Sequence, residues 1–336
     1  MDDKAIFNHA KFDRACDRLR VLSMRLDPGM VILLTGPSGS GKTMITEIME
    51  QWHRVPTSSS RTCAVQPVQR VLARNYQNNG YFSTRDLWMP LLKQMDHPLV
   101  SGVPSLSRVS TSELMSACEE ALIALKTRFL IIDEAQEIRQ VKGGDKNAQK
   151  ILDSLKSFAA ETGVILVLSG AYPLMATVDL GPHLSRRTFR VIMHRYYDDR
   201  AGDLAEFTKI VQHFSGVMGL DFSAQIQPIL PEIYRASLGV IGMVKGTLLD
   251  ISTQIDQRST KSPDIELLRD IVSKMAPARS ICDEVKEGER YLKSRALDFG
   301  ELPDVHSKGQ RIVRRSGKKR KTKARPRDYK KTSVFE

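Results

Sequence analysis

Two hydrophobic rhythms alternate along the chain. Short, nearly continuous apolar runs are separated by longer stripes in which apolar residues return every three or four positions. That alternation predicts strands buried on both faces with helices between them. The first run, Met30 to Leu34, follows a helical stripe over residues 4–26 that carries Ile6, Phe7, Ala10, Ala15, Leu19, Leu22 and Leu26 and is stopped by Asp27-Pro28-Gly29. A second helix opens at Met44-Ile45. Val68 to Ala73 alternates well enough for a second strand, and residues 84–95 predict a short helix with Leu87, Trp88, Leu91 and Leu92 on its apolar side. Ser110 and Glu113 have capping-box spacing ahead of Leu114, Ala117, Ala121 and Leu125, which predicts a helix over 111–126. Phe129 to Asp133 is the third strand. A helix through Ile151, Leu155, Phe158 and Ala159, a fourth strand over Val164 to Leu168 and a fifth over Phe189 to Met193 complete an α/β half whose strands should form a parallel sheet flanked by helices.

From Asp203 onward the strand rhythm stops. Leu204 to Met218, Ser223 to Ala236, Val240 to Ile255 and Pro263 to Met275 read as amphipathic helices broken by Gly, Asp or Pro, and together predict a small helical lid. Pro277 opens a linker, Ile281 to Leu297 a last helix, and after Pro303 the periodicity is lost. The organisation expected is an α/β domain over 1–200, a lid over 201–276, a linker and last helix over 277–302, and a tail over 303–336. Polar or Gly/Pro-rich stretches at 56–61, 75–80, 97–104 and Gly143-Gly144 read as loops.

Charge changes this picture at one end only. The chain of 336 residues has a formal net charge of +12, and Lys308 to Glu336 holds thirteen Lys and Arg against two acids, so eleven of those charges sit in the tail. Residues 1–307 are near neutral. A polycation without apolar periodicity cannot bury enough surface to order itself, so the tail is expected to be disordered when alone. No apolar run approaches the roughly 18 residues of a membrane helix, and MDDKAIFNHAKFDR does not resemble a secretory leader, so no membrane association and a cytoplasmic setting are expected. Cys16, Cys63, Cys118 and Cys282 show neither CxxC nor Cys/His pairing, which argues against structural zinc and against a disulfide framework.

Candidate chemistry begins where the first run meets Gly36-Pro37-Ser38-Gly39-Ser40-Gly41-Lys42-Thr43. Strand, glycine-rich loop and helix in that order form a phosphate-binding loop: the glycines let the backbone close around phosphate oxygens, and loop amides with the positive helix end supply the anion site. Lys42 is expected on the β and γ phosphates of ATP, and Thr43 on Mg²⁺. The third strand ends in Asp133 and Glu134. These acids can hold the Mg²⁺ shell and orient the attacking water, respectively. Ser169, at the tip of the fourth strand, either contacts the γ-phosphate or its water as a sensor, or merely begins a loop. Arg186 and Arg187, directly before the fifth strand, can reach into a neighbouring subunit's site, or else lie plainly on the surface. Lys245, in the Gly-rich opening of the third lid helix, could point back at the nucleotide.

LLTGPSGSGKT, LIIDEAQEI, VLSGAYPL followed by LSRR, and that lid opening together resemble an AAA+ ATPase. More narrowly, residues 5–255 resemble the TnsC/TniB family of transposon ATPases, the target-selection regulators of CRISPR-associated and related transposons. The resemblance implies an AAA+ P-loop fold and ATP-dependent self-association as rings or filaments on duplex DNA. It also implies recruitment of a transposase and a target-selection protein. Carried over by position, Lys42 and Thr43 are Walker A, Asp133 and Glu134 Walker B, Ser169 is sensor 1, and Arg186 or Arg187 is the arginine finger. The chain departs from the pattern in having no arginine at the second sensor, where Lys245 stands. No separate DNA-binding domain is expected ahead of the ATPase core, so duplex contacts are expected from Arg70, Arg74, Lys142 and Lys146 or from the tail. The competing readings are a helicase-loader or remodelling ATPase and a signalling ATPase that never touches DNA.

Overall fold

A computed structural model describes residues 9–54, 65–75, 80–100, 109–179, 181–258 and 263–295. The start of the leading stripe, the expected loop at 56–61, parts of those at 75–80 and 97–104, and the basic tail lie outside the described residues.

Strands β1 (Val31–Thr35), β2 (Val68–Leu72), β3 (Phe129–Asp133), β4 (Ile165–Gly170) and β5 (Thr188–Ile192) form a single parallel sheet in the order β2-β3-β4-β1-β5. Every residue of β1, β3 and β4 is buried, as continuous apolar runs require when helices cover both faces. Edge strand β2 alternates buried and half-buried residues, as its sequence does. Helix α1 (Ala10–Arg25) packs on the other edge strand, β5, and on α2 (Lys42–Trp52), with Phe12 and Leu19 joining Ile32, Leu34, Ile45 and Met49 in one core layer. On α3 (Arg85–Gln94), Leu87, Trp88, Leu91 and Leu92 are buried as predicted, and Trp88 stacks on Phe158 of α5 (Asp145–Thr162) with ring centroids 4.7 Å apart.

Helix α4 (Thr111–Ala124) starts where its sequence says it should. The Ser110 hydroxyl accepts from the Glu113 amide at 3.2 Å while the Glu113 carboxylate accepts from the Ser110 amide at 2.7 Å. Between β4 and β5 lie two short helices the periodicity does not predict, α6 (Pro173–Asp179) and α7 (Pro182–Ser185), and a 3₁₀ turn over Ala135–Gln140 follows β3.

The helical lid contains α8 (Ala201–Val217), α9 (Leu230–Ser237), α10 (Ile241–Gln257) and α11 (Ile265–Ser273) around a core that includes Phe207, Ile210, Ile233, Val244, Leu248, Ile251, Leu268 and Ile271. The continuous helix predicted over 223–236 is broken. A π turn over Phe222–Ile226 and a 3₁₀ turn over Gln227–Ile229 precede α9, because Pro228 and Pro231 lack the amide that an uninterrupted helix would use. The last helix is α12 (Arg279–Arg295). Val285 is buried, and Gly288 lies so close to Tyr172 that a Cβ there would fall 2.2 Å from its ring. Among the described residues no helix is long and apolar enough to cross a membrane.

Because Ser110 is exposed, the capping box can be tested on its own. Ser110→Ala is expected to lower unfolding free energy by about 1 kcal/mol, and Ser110→Asn to retain most of it. A urea midpoint unchanged by Ser110→Ala would show that the box does not set this helix end.

Candidate active site

All five strands point the same way, so the loops that follow β1, β3 and β4 gather at one edge of the sheet. The first of these loops runs from Gly36 to Gly41. A Cβ on Gly36 would sit 2.5 Å from the Met193 carbonyl at the end of β5, and Gly39 and Gly41 adopt φ of 80° and 97°, which other residues resist. Nothing caps the start of α2 with a side chain, so its first amides and its positive end are left for an anion. Lys42, only 8% exposed, bends back to donate to the carbonyls of Gly36 at 3.0 Å and Pro37 at 2.9 Å, which leaves one ammonium proton without a partner among the described residues. Burial draws its pKa down, and the carboxylates of Glu134, Glu284 and Asp133 oppose that shift. The Ser40 hydroxyl is buried beside it and has no hydrogen-bond partner among the described residues. A buried cation with a spare donor and an unpartnered hydroxyl, set in a ring of amides, fit a nucleotide phosphate.

β4 lies between β1 and β3, with Ser169 paired to Leu34 in register. The fully buried Ser169 hydroxyl donates to Asp133 Oδ1 at 2.8 Å, and the Glu134 amide donates to the same oxygen at 3.0 Å. Oδ2 carries no hydrogen bond among the described residues. Ser169 thus does not stand free at a loop start; its hydroxyl is committed to Asp133. Glu134 itself is exposed and sits at φ 53°, a left-handed backbone in which the strand ends. Its Oε2 accepts from Gln136 Nε2 at 2.5 Å, and Gln136 Oε1 in turn accepts from the Ala171 amide at 2.9 Å just beyond β4. The 3₁₀ turn makes that bridge possible by folding Gln136 back toward the sheet. No group of three or more His, Cys, Asp or Glu that could hold a metal occurs among the described residues, so a cation here would need Thr43, Asp133 and oxygens from the nucleotide.

Arg186 and Arg187 are at the opposite end of the sheet. The Arg187 carbonyl accepts from the amide of Val31, the first residue of β1, whereas the phosphate loop follows the last, Thr35. Five strand residues span about 16 Å, more than an arginine side chain can cross, so neither guanidinium reaches its own chain's phosphate loop.

The remaining candidates are scattered. Thr43, Asp133, Arg70, Leu72, Arg74 and Gln94 line a cleft of about 380 Å³ beside the phosphate loop. Arg70 is engaged there by Glu50 at 2.8 Å, an ion pair that would have to open before it met a DNA phosphate. Lys142 and Lys146 are exposed on the Gly143-Gly144 turn and the first turn of α5. Lys245 is exposed on the first turns of α10, and that helix does rest on the phosphate loop. The Gly242 amide donates to the Gly39 carbonyl at 3.0 Å, and a Cβ on Gly242 would come within 2.6 Å of the same oxygen. Hence the Gly-rich lid opening: only glycine allows the lid this approach.

Three contributors are missing from the sequence reading. Gln136 could have been suspected as a polar residue two positions after an acid pair. Gly242 is part of the noted opening, but its contact is not. Glu284 of α12 accepts from the Ser38 amide at 3.1 Å, and no local signal in the sequence points to it.

The profile of the AAA domain family matches residues 25–177. Among solved structures, the Aeropyrum pernix ORC2 protein in its ADPNP and ADP complexes superimposes with a TM-score of 0.53 at 13% identity, covering 93% of this chain and 87% of that one. The Aeropyrum pernix ORC1 protein in complex with DNA gives a TM-score of 0.50 at 14% identity over 79% of this chain and 64% of that one. A multidrug resistance ABC transporter ATP-binding and permease protein of Lactococcus lactis is 23% identical over 43% of this chain, which spans only 30% of that protein's length. These likenesses extend to the fold. With a match to the AAA domain family over residues that include both the phosphate loop and the paired acids, and a parallel five-stranded sheet under a helical lid, the chain is an ATPase of the AAA+ P-loop fold.

Proposed function

We propose that this ATPase is an ATP-switched regulator of DNA transposition that self-associates on duplex DNA as a ring or filament and recruits transposase and a target-selection protein there. The observation that carries the self-association is the position of Arg186 and Arg187 at the end of the sheet remote from their own phosphate loop. Such arginines complete a site only when a second copy packs against the first. The motifs LIIDEAQEI, SGAYPL and LSRR support the narrower family reading, and the basic tail supports DNA as the partner.

Within the site, the loop amides, Ser40 and Lys42 hold the phosphates. Thr43 and Asp133 would hold Mg²⁺, with Asp133 Oδ1 held in place by Ser169. Bound ATP with Mg²⁺ would supply an electrophilic γ-phosphoryl group, which water attacks as the bond to the bridging oxygen of the departing ADP breaks. Glu134 orients that water, and Gln136 keeps the Glu134 carboxylate from swinging away from the β4 tip. Lys245 approaches from the lid. A near-neutral core with a few cations per subunit, among them Arg74, Lys142, Lys146 and Arg70 once released from Glu50, gains affinity for DNA by repetition along an assembly.

Glu134→Gln is expected to retain nucleotide and duplex binding while turnover falls by about 10²-fold or more, because the metal donors remain and the water loses its base. Gln136→Leu should slow turnover about tenfold with nucleotide affinity unchanged; wild-type turnover in Glu134→Gln would remove Glu134 from this role.

Arg186→Ala and Arg187→Ala should leave the nucleotide affinity of the isolated chain nearly unchanged and reduce DNA-stimulated turnover and assembly. Mixing either variant with Lys42→Ala subunits should restore part of the activity at mixed interfaces. Failure of every mixture to recover activity would argue against an arginine supplied in trans.

Truncation after Pro303 removes ten net positive charges, so non-specific duplex affinity should drop and the slope of log K against log[salt] should become shallower. Equal affinity for duplex across a salt series would instead assign the tail to a protein partner. Nucleotide-dependent duplex binding with assemblies visible by electron microscopy supports the proposal, whereas partner-dependent loading onto single strands would favour the helicase-loader reading.

A further inference from the structure

The phosphate loop's Ser38 amide is already satisfied by an anion, and that anion comes from the far end of the chain. Glu284 Oε1 lies 3.1 Å from Ser38 N, 246 residues away in sequence. The contact is not a stray side chain on a loose helix. Glu284, Gly288 and Tyr291 recur at i, i+4 and i+7, one face of α12, and each is seated. Gly288 lies against Tyr172, the Tyr291 hydroxyl bonds to Asp179 of α6, and Val285 is buried next to them. Glu289 grips Arg195 by two bonds, at 2.5 and 3.2 Å. None of these anchors uses Glu284, so the helix would hold its place without the Ser38 contact, and that place puts a carboxylate on a phosphate-binding amide.

We infer that α12 is a built-in competitor for the nucleotide: Glu284 stands in for a phosphate oxygen on the loop, and α12 must shift away before the triphosphate seats fully. A carboxylate and a phosphate oxygen make the same charge-assisted bond to an amide, and they cannot share it. A triphosphate entering beside Glu284 would also bring its negative charge against a third carboxylate in addition to Asp133 and Glu134. Release is linked to the lid through Arg195. Its guanidinium holds Glu289 and also donates to the Tyr234 hydroxyl at 2.8 Å and the Leu238 carbonyl at 3.2 Å at the end of α9. Lid movement on nucleotide entry would therefore pull on the clasp that keeps α12 down. This inference rests on the reading of Gly36 to Thr43 as the nucleotide site.

The test uses the full-length chain, titrated with fluorescent ATP and ADP analogues in the presence of Mg²⁺. Glu284 is only partly buried, so Glu284→Ala and Glu284→Gln should fold as the parent does, checked by circular dichroism. Glu284→Ala is expected to bind nucleotide about tenfold more tightly than the parent, the loss of one charge-assisted competitor, with Glu284→Gln in between. In the parent chain, amide hydrogen exchange over residues 279–291 should accelerate when ATP is saturating. Equal or weaker binding by Glu284→Ala, or exchange in α12 that is unchanged or slowed by ATP, would overturn the inference while leaving the nucleotide site intact. Absence of nucleotide binding in parent and variant alike would overturn both readings.

Discussion

Burying an ammonium at the edge of a hydrophobic sheet is the constraint around which this molecule is arranged. Lys42 is almost wholly out of water, and burial alone would favour its neutral form. Two loop carbonyls and the field of three carboxylates keep the charged form viable, yet among the described residues they leave one proton without a partner and a buried hydroxyl, Ser40, idle beside it. A site with that surplus of donors is preorganised for an anion, and the surrounding chain is shaped to leave room for one. Gly36 gives way to β5, and Gly41 turns the chain into α2 without a competing cap.

The acids opposite are held with equal care. Hydrogen bonds from Ser169 and the Glu134 amide fix one oxygen of Asp133, and the Gln136 bridge ties Glu134 to the tip of β4. Because β4 runs between the strand that carries the phosphate loop and the strand that carries the acids, a small movement of β4 is felt by both. The lid enters the same arrangement from above through Gly242 on Gly39, and α12 enters it through Arg195, which bonds to both helix and lid. Phosphate loop, acids, lid and last helix are thus linked by a few short hydrogen bonds, and a change at the phosphates can be transmitted to elements distant in sequence.

Much of the fold was legible because the strands are continuous apolar runs and most helices keep a clean stripe with recognisable ends. Ser110 and Glu113 mark α4 from sequence and close both capping bonds in the structure. The exceptions have identifiable causes. Pro228 and Pro231 break a stripe whose apolar spacing still looks helical over 223–236, and α6 and α7 are too short to show a period. Ser169 was open to two readings, a sensor or a loop start, because a sequence gives its place at a strand tip but not which neighbour its hydroxyl meets.

By itself the sequence determined the local chemistry: a glycine loop between strand and helix, two acids ending a strand, two arginines ahead of another, and a tail holding most of the charge. Each of these is a contiguous pattern, and contiguous residues are held together by the covalent chain whatever the fold. Tertiary structure alone decided the strand order that puts β4 between the two motifs, the remoteness of Arg186 and Arg187 from their own phosphate loop, and the meeting of Gly242 with Gly39 and Glu284 with Ser38. Those contacts join residues far apart in the chain. They depend on packing that buries Val285 and Tyr172 rather than on any periodicity, so no local signal could announce them.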